Sequence, residues 1–166
     1  MIKRILVGLG SLDYARSATT KAIELAKLVE EGVRPLLAVT DRDRTIERVL
    51  ISYIGSIESA KTMRRFIHFR MWPQAKLRIV TFQLRSDTSE TLLADATKYC
   101  RAHGFDPETD LVSDPPISNL LPYAEKWNAD LIVMGNNAKN MLLRRILGDT
   151  ALHVMRNSEI PLFLAQ

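Results

Sequence analysis

The chain has 166 residues, 46% hydrophobic and 25% charged, with a formal net charge of +4. That is ordinary globular material of one-domain size, and no apolar run reaches the roughly 18 residues that a membrane-spanning helix needs. Its single cysteine, Cys100, excludes an internal disulfide and suits a reducing cytoplasm, with a buried inert thiol the preferred reading. Lys3-Arg4 precedes only the short apolar stretch Ile5–Leu9, which reads as a buried strand and not as a signal peptide.

Ala15, Ala18, Ala22, Leu25, Ala26 and Val29 then recur at helical spacing, with Ser11 or Asp13 as cap and Gly32 as stop. Pro35–Thr40 is a second strand. Residues 41–86 stand apart as a variable basic insert. Ile46, Leu50, Tyr53, Ile57, Ala60, Met63 and Ile67 fit one or two amphipathic helices, and Leu77–Phe82 a strand or extended run. From Ser59 to Ser86 there is no acid, while Lys61, Arg64, Arg65, Arg70, Lys76, Arg78 and Arg85 are all basic, so the chain's positive charge belongs to this window. Asp87 with Glu90 forms a capping-box pattern ahead of the stripe Leu92, Leu93, Ala96, Tyr99, Cys100, which Gly104 ends. Leu111–Val112 marks a third strand. Asp114-Pro115 opens a helix with Ile117, Leu120, Leu121, Ala124 and Trp127 inward. Ala129–Gly135 is the fourth strand, Gly148 to about Arg156 a short helix, and Pro161–Ala165 the fifth strand.

Alternating strands and helices of this kind build an open α/β sheet, mostly parallel, with helices on both faces. Ligands in such sheets bind at the carboxyl ends of the strands, where the strand order reverses. A glycine-containing loop running from a parallel strand into a helix N-terminus favours an anion, through free N–H groups and the helix dipole. The segment Leu131-Ile-Val-Met-Gly135-Asn-Asn-Ala138-Lys139 and on to Gly148-Asp149-Thr150 has that form.

This segment resembles the universal stress protein family. Nucleotide-binding members carry Gly, two residues, Gly, nine residues, Gly, then Ser or Thr. Gly135 and Gly148 fall on the first and third glycines, whereas Ala138 replaces the second and Asp149 the hydroxyl residue. The resemblance covers residues 1–40 and 87–166 and implies five strands in the order 3-2-1-4-5, a crevice between strands 1 and 4, and a homodimer through the fifth strand at Leu162 and Leu164, or an equivalent pairing within a tandem protein. It further implies ATP, with Mg²⁺, as the ligand of a functional crevice. The positions concerned are Gly8, Leu9, Gly10, Val39, Met134, Gly135, Ala138, Lys139, Gly148, Asp149 and Thr150. Family members usually end strand 1 in an Asp that contacts the nucleoside, and Gly10 aligns there. Like charges about 4 Å apart repel by roughly 4 kcal/mol at an effective dielectric of 20, so Asp149 opposes a phosphate. The degenerate-crevice reading is therefore preferred: a non-catalytic cytoplasmic regulator or interaction protein, with an ATP-binding switch or slow ATPase as the alternative.

Other patterns carry less. Gly8-Leu9-Gly10-Ser-Leu-Asp13 falls short of a dinucleotide fingerprint, and a tight strand-to-helix turn accounts for it. The basic window interleaves Phe66, Phe69, Trp72 and Phe82 with Arg64, Arg65 and Arg70, a combination that can hold single-stranded nucleic acid or an anionic partner. A solvated face over a packed core is the preferred reading. His68, His103 and His153 show no metal-ligand spacing, and no catalytic constellation is expected.

Overall fold

The computed structural model describes residues 5–9, 35–40, 44–82, 86–135 and 149–165. In chain order these form β1 (Ile5–Leu9), β2 (Leu36–Thr40), β3 (Arg48–Ser52), α1 (Ile57–Phe69), β4 (Lys76–Phe82), α2 (Ser86–Ala102), β5 (Glu108–Val112), α3 (Pro116–Lys126), β6 (Leu131–Gly135), α4 (Asp149–Asn157) and β7 (Leu162–Ala165). The helix expected around Ala15–Val29 lies outside the described residues.

One open sheet runs in the order β1-β2-β7-β6-β3-β4-β5. Every neighbouring pair is parallel except β2 with β7. The mostly parallel α/β architecture is thus as expected, and among the described residues the sheet has seven strands where five were expected. Counted from β3, the strands β5-β4-β3-β6-β7 reproduce the order 3-2-1-4-5. The central position belongs to Arg48–Ser52, inside the segment expected to be a variable insert. Ile5–Leu9, expected there, is among the described residues an edge strand, paired with β2.

The physical reason is burial on both faces. Val49, Leu50 and Ile51 are at most 1% exposed, the condition of a strand covered above and below. Read with the residues after Ser52, these positions also fit a helical period, and a short apolar run does not distinguish the two. The described residues of the segment 41–86 are therefore the centre of the fold, carrying β3, α1 and β4: α1 matches an amphipathic helix expected there and β4 the strand or extended run expected at Leu77–Phe82, while β3 takes the place of the helical reading before Gly55.

Alternation along the strands sorts the core into two layers. Leu50, Val80, Phe82, Ile132, Met134, Leu162 and Leu164 pack with Leu120 and Ala124 of α3 and Ala151, Val154 and Met155 of α4. Val49, Ile51, Leu77, Ile79, Leu131, Val133 and Phe163 pack on the opposite face with Met63, Phe66 and Ile67 of α1 and Leu93, Ala96 and Cys100 of α2. Phe66 sets its ring edge-on to Phe163, with centroids 5.5 Å apart.

The fifth strand of the expected order, β7, is not at an edge. Its outer side is taken by β2, antiparallel. Leu162 and Leu164 are buried in the core and are not surface residues. A short apolar strand is a poor edge, and covering it removes an invitation to aggregate.

The lower end of the β3·β6 pair is fixed by Asp130. Its Oδ2 accepts from the backbone N–H groups of Glu47 (3.1 Å) and Arg48 (2.9 Å), and the Asp130 N–H donates to the Arg48 carbonyl at 2.8 Å. Hydrogen bonds to a charged group contribute about 1.5–3 kcal/mol each when dry. Asp130 is partly solvated, so Asp130→Ala is expected to destabilise by about 1–2 kcal/mol. Urea titration of both proteins checks this, and an unchanged midpoint would refute the anchoring role.

Candidate functional site

β3 hands the chain to β4 on one side, and β6 hands it to β7 on the other, so the connections diverge between β3 and β6. A crevice opens at their carboxyl ends, as open α/β sheets require. Its walls are Ser52, Ile54, Ser56, Ser59, Pro116, Met134, Gly135, Asp149, Thr150 and Ala151, around a cavity of about 200 Å³.

Two helix N-termini converge on this cavity. Gly55, at φ +73°, turns the chain from β3 into α1 in a conformation that side-chain-bearing residues rarely adopt. Ser56 then caps α1, its Oγ accepting from the Ser59 N–H at 3.1 Å, while the Ser59 hydroxyl donates to the Ser56 carbonyl at 2.9 Å. Asp149 sits in the first turn of α4 from the other side. Both helix dipoles favour negative charge in the crevice, and Asp149 brings a carboxylate of the chain's own to that end.

Gly135 is needed for the close approach of α1. A Cβ there would lie 2.6 Å from the Ser59 backbone nitrogen and 2.8 Å from its Cα. One turn on, the buried Thr62 hydroxyl reaches the carbonyl of Ala165 at 2.7 Å, tying α1 to the end of β7. The glycine that ends β6 thus lets a helix backbone rest on the strand and so shapes the crevice.

Of the residues singled out from the sequence, Met134, Gly135, Asp149 and Thr150 come together here. Gly8 and Leu9 lie on β1 and Val39 on β2, with Gly8 paired to Val39, at the far end of the sheet and not at the crevice. Gly10, Ala138, Lys139 and Gly148 fall outside the described residues. Ser52, Ile54, Ser56 and Ser59 were missed because residues 41–86 were read as an insert, and Pro116 and Ala151 because they were read only as parts of helices. The run Val49-Leu50-Ile51 followed by Gly55-Ser56 carried the signal, a buried strand leading through a glycine turn to a capped helix. The central strand ends in Ser52-Tyr53-Ile54, so the position expected to hold a nucleoside-binding Asp offers no carboxylate here either.

The basic window is largely committed to the protein itself. Arg64 lies over the Tyr99 ring at 5.3 Å, and Arg70 donates to the His103 carbonyl at 2.7 Å while lying 5.5 Å from the Phe105 ring centre. Phe66 and Phe82 are buried, and Phe69 and Trp72 pack against the α1–α2 core. The interleaved aromatics therefore build core and do not form a stacking platform. Among the described residues, no group of three or more His, Cys, Asp or Glu is placed to hold a metal ion, and no helix is long and apolar enough to cross a membrane.

Substitution Gly135→Ala is expected to push α1 outward and to cost about 1–3 kcal/mol, the usual range for overpacking against backbone that cannot yield. Thermal unfolding measures this, and a variant as stable as the parent would show that α1 is not seated on the strand. Two titratable groups give further tests. Burial pushes the Cys100 thiol up to about 11, so it is expected to resist alkylation at neutral pH until the protein unfolds. Burial, with Asp110 accepting the Tyr123 hydroxyl at 2.6 Å, pushes that phenol from 10.0 up to about 12. Its stabilising contribution is complete below pH 10 and is lost as pH rises towards 12, and Tyr123→Phe is expected to remove that part of the alkaline stability loss.

The sequence model of the universal stress protein family matches residues 1–166. Universal stress protein Slr1230 of Synechocystis is 24% identical over 139 residues, which is 82% of this chain and 48% of that protein. The chain spans about half the length of this and another of the curated relatives that it matches. Among solved structures, a universal stress protein from Archaeoglobus fulgidus superposes with a TM-score of 0.70 at 20% identity, over 97% of this chain and 60% of that one. A universal stress protein in complex with cAMP superposes at 0.64 with 26% identity, over 74% of this chain and 98% of that one. A family-model match along the whole chain establishes that this chain belongs to the universal stress protein family.

Proposed function

We propose that the protein is a non-catalytic stress-response regulator of the cytoplasm, acting through interactions with other proteins, whose nucleotide crevice has become degenerate. The observation that carries this reading is the charge placement in the crevice. A carboxylate, Asp149, stands at the α4 N-terminus where phosphate would bind, and Ser52-Tyr53-Ile54 supplies none where the nucleoside would bind. Both ends thus run against an adenine nucleotide.

A second reading, an ATP-dependent switch that takes Mg²⁺ with its ligand, draws support from the two convergent helix N-termini and from the relative crystallised with cAMP. Ser52, Ser56, Ser59 and Thr150 are the hydroxyls available to such a ligand. Binding of nucleic acid through Arg64, Arg65 and Arg70 is the least supported, because the neighbouring aromatics are spent on the core.

Equilibrium titration with ATP, ADP and cAMP, with and without Mg²⁺, separates the first two readings. The unaltered protein is expected to bind each above about 100 μM, weaker than about −5.5 kcal/mol. Asp149→Ser combined with Ala138→Gly is expected to tighten ATP by tenfold or more, by removing like-charge repulsion and restoring close backbone approach. Nucleotide retained at near-full occupancy through purification would refute the degenerate-crevice reading and favour the switch.

A further inference from the structure

Two histidines that stand 35 residues apart in the chain meet on the surface. His68 is in the last turn of α1, at the opposite end of that helix from the crevice, and His103 follows the end of α2. Their Nε2 atoms are 3.2 Å apart, and the Tyr99 hydroxyl of α2 lies 2.9 Å from His68 Nε2. The two imidazole centroids are 5.0 Å apart, so the rings spread away from the nitrogens that face each other.

The core holds these groups in place. Ile67, beside His68, and Cys100, beside Tyr99, are both buried in the layer that joins α1 to α2. The N–H groups of His103 and Phe105 both donate to the Cys100 carbonyl at 3.0 Å, and Gly104, at φ +82°, stops the helix there. Arg70 fixes the same turn from the end of α1 by donating to the His103 carbonyl.

The hydrogens then follow from chemistry. A backbone carbonyl only accepts, so the 2.8 Å contact between His103 Nδ1 and the Tyr99 carbonyl places a hydrogen on Nδ1. In the neutral ring Nε2 therefore carries a lone pair. His68 Nε2 has one position in its ring plane, a hydrogen or a lone pair, yet His103 Nε2 and the Tyr99 hydroxyl both face it. A hydrogen bond satisfies one of these neighbours and leaves the other unmatched. A cation among the three atoms satisfies all of them. Nitrogens bound at about 2.0–2.1 Å to one tetrahedral ion stand about 3.3 Å apart, close to the spacing here. An Nδ1–H bond to a carbonyl is also the usual support of a metal-ligating histidine, since it fixes tautomer and ring direction.

We propose that His68 and His103, with the Tyr99 hydroxyl beside them, form a surface site for one late-transition divalent ion that clamps the end of α1 to the end of α2. Imidazole suits Zn²⁺, Cu²⁺ and Ni²⁺, whereas Mg²⁺ and Ca²⁺ take oxygen ligands. The surroundings moderate the affinity. Arg64 over the Tyr99 ring and Arg70 at the His103 carbonyl add positive charge, and Asp95, one turn before Tyr99 on α2, adds a carboxylate. Arg101 and Asp106 are spent on each other at 2.7 Å. The sequence hides this site because its two nitrogens come from different helices and share no local spacing.

Calorimetric titration with Zn²⁺ alone tests this. The unaltered protein is expected to bind one equivalent saturably. His68→Ala and His103→Ala are each expected to weaken binding by about tenfold or more. His153→Ala, which removes the remaining histidine, on α4, is expected to leave it unchanged. The absence of saturable binding, or binding undiminished in His68→Ala or His103→Ala, overturns the proposal. Imidazole ¹⁵N resonances of the unaltered protein give a second arm that needs no substitution. Zn²⁺ is expected to shift Nε2 of His68 and of His103 and to leave the His103 Nδ1–H in place. A shift confined to His153, or none at His68 and His103, overturns it.

Discussion

The parallel pairing of β3 with β6 is the contact on which the rest of the molecule depends. Val49, Leu50 and Ile51 lie beside Leu131, Ile132 and Val133 at the middle of the sheet, none more than 1% exposed. Such residues have no solvent face, so both helical layers must close over them. Removing some of the largest fully buried side chains in the protein from water drives that closure, at roughly 25 cal/mol per Å² of apolar surface. Asp130 pins one end of the pair through two backbone N–H groups, and Gly135 admits α1 at the other. Chain connections diverge from this pair, and a crevice opens at its carboxyl end.

The same constraint shapes the chemistry available there. Two helices must begin at the crevice because two strands end there, and their dipoles set a preference for negative charge. In this chain the preference is met in part by Asp149, and the end of the central strand is Ser52-Tyr53-Ile54 rather than an acid. A frame of strand ends and helix starts thus stands with a carboxylate of the chain's own at its rim. The frame persists because it is made by strand ends and helix starts, which the fold needs in any case. The individual side chains at its rim are free to change.

Some parts of this design could be read directly from residue order. Leu131–Gly135, the short helix near Asp149 and Pro161–Ala165 carry continuous apolar runs and glycine or proline punctuation, and the structure places β6, α4 and β7 there. Gly135 and Asp149 were placed at the crevice by the resemblance to the family's glycine loop, and both line it. The helix closed by Gly104, and the one opened at Asp114-Pro115, follow local rules as well, although α3 starts one residue later, at Pro116, with Pro115 in the cap position.

What the sequence by itself determined is the class of the fold, the positions of most helices and strands, the family, and the two changed positions in the glycine loop. These follow from local periodicity, turn chemistry and motif spacing, which do not depend on what lies across the sheet. Only the tertiary structure decided which strand is central. Ile5–Leu9 and Arg48–Ser52 are both five-residue strands of the same apolar character, and nothing local says which of them pairs with β6. The choice is made by non-local packing: β3 brings α1 and β4 with it to fill both core layers, whereas β1 brings β2 to the edge of β7. Ser52, Ile54, Ser56 and Ser59 became site residues by that choice alone.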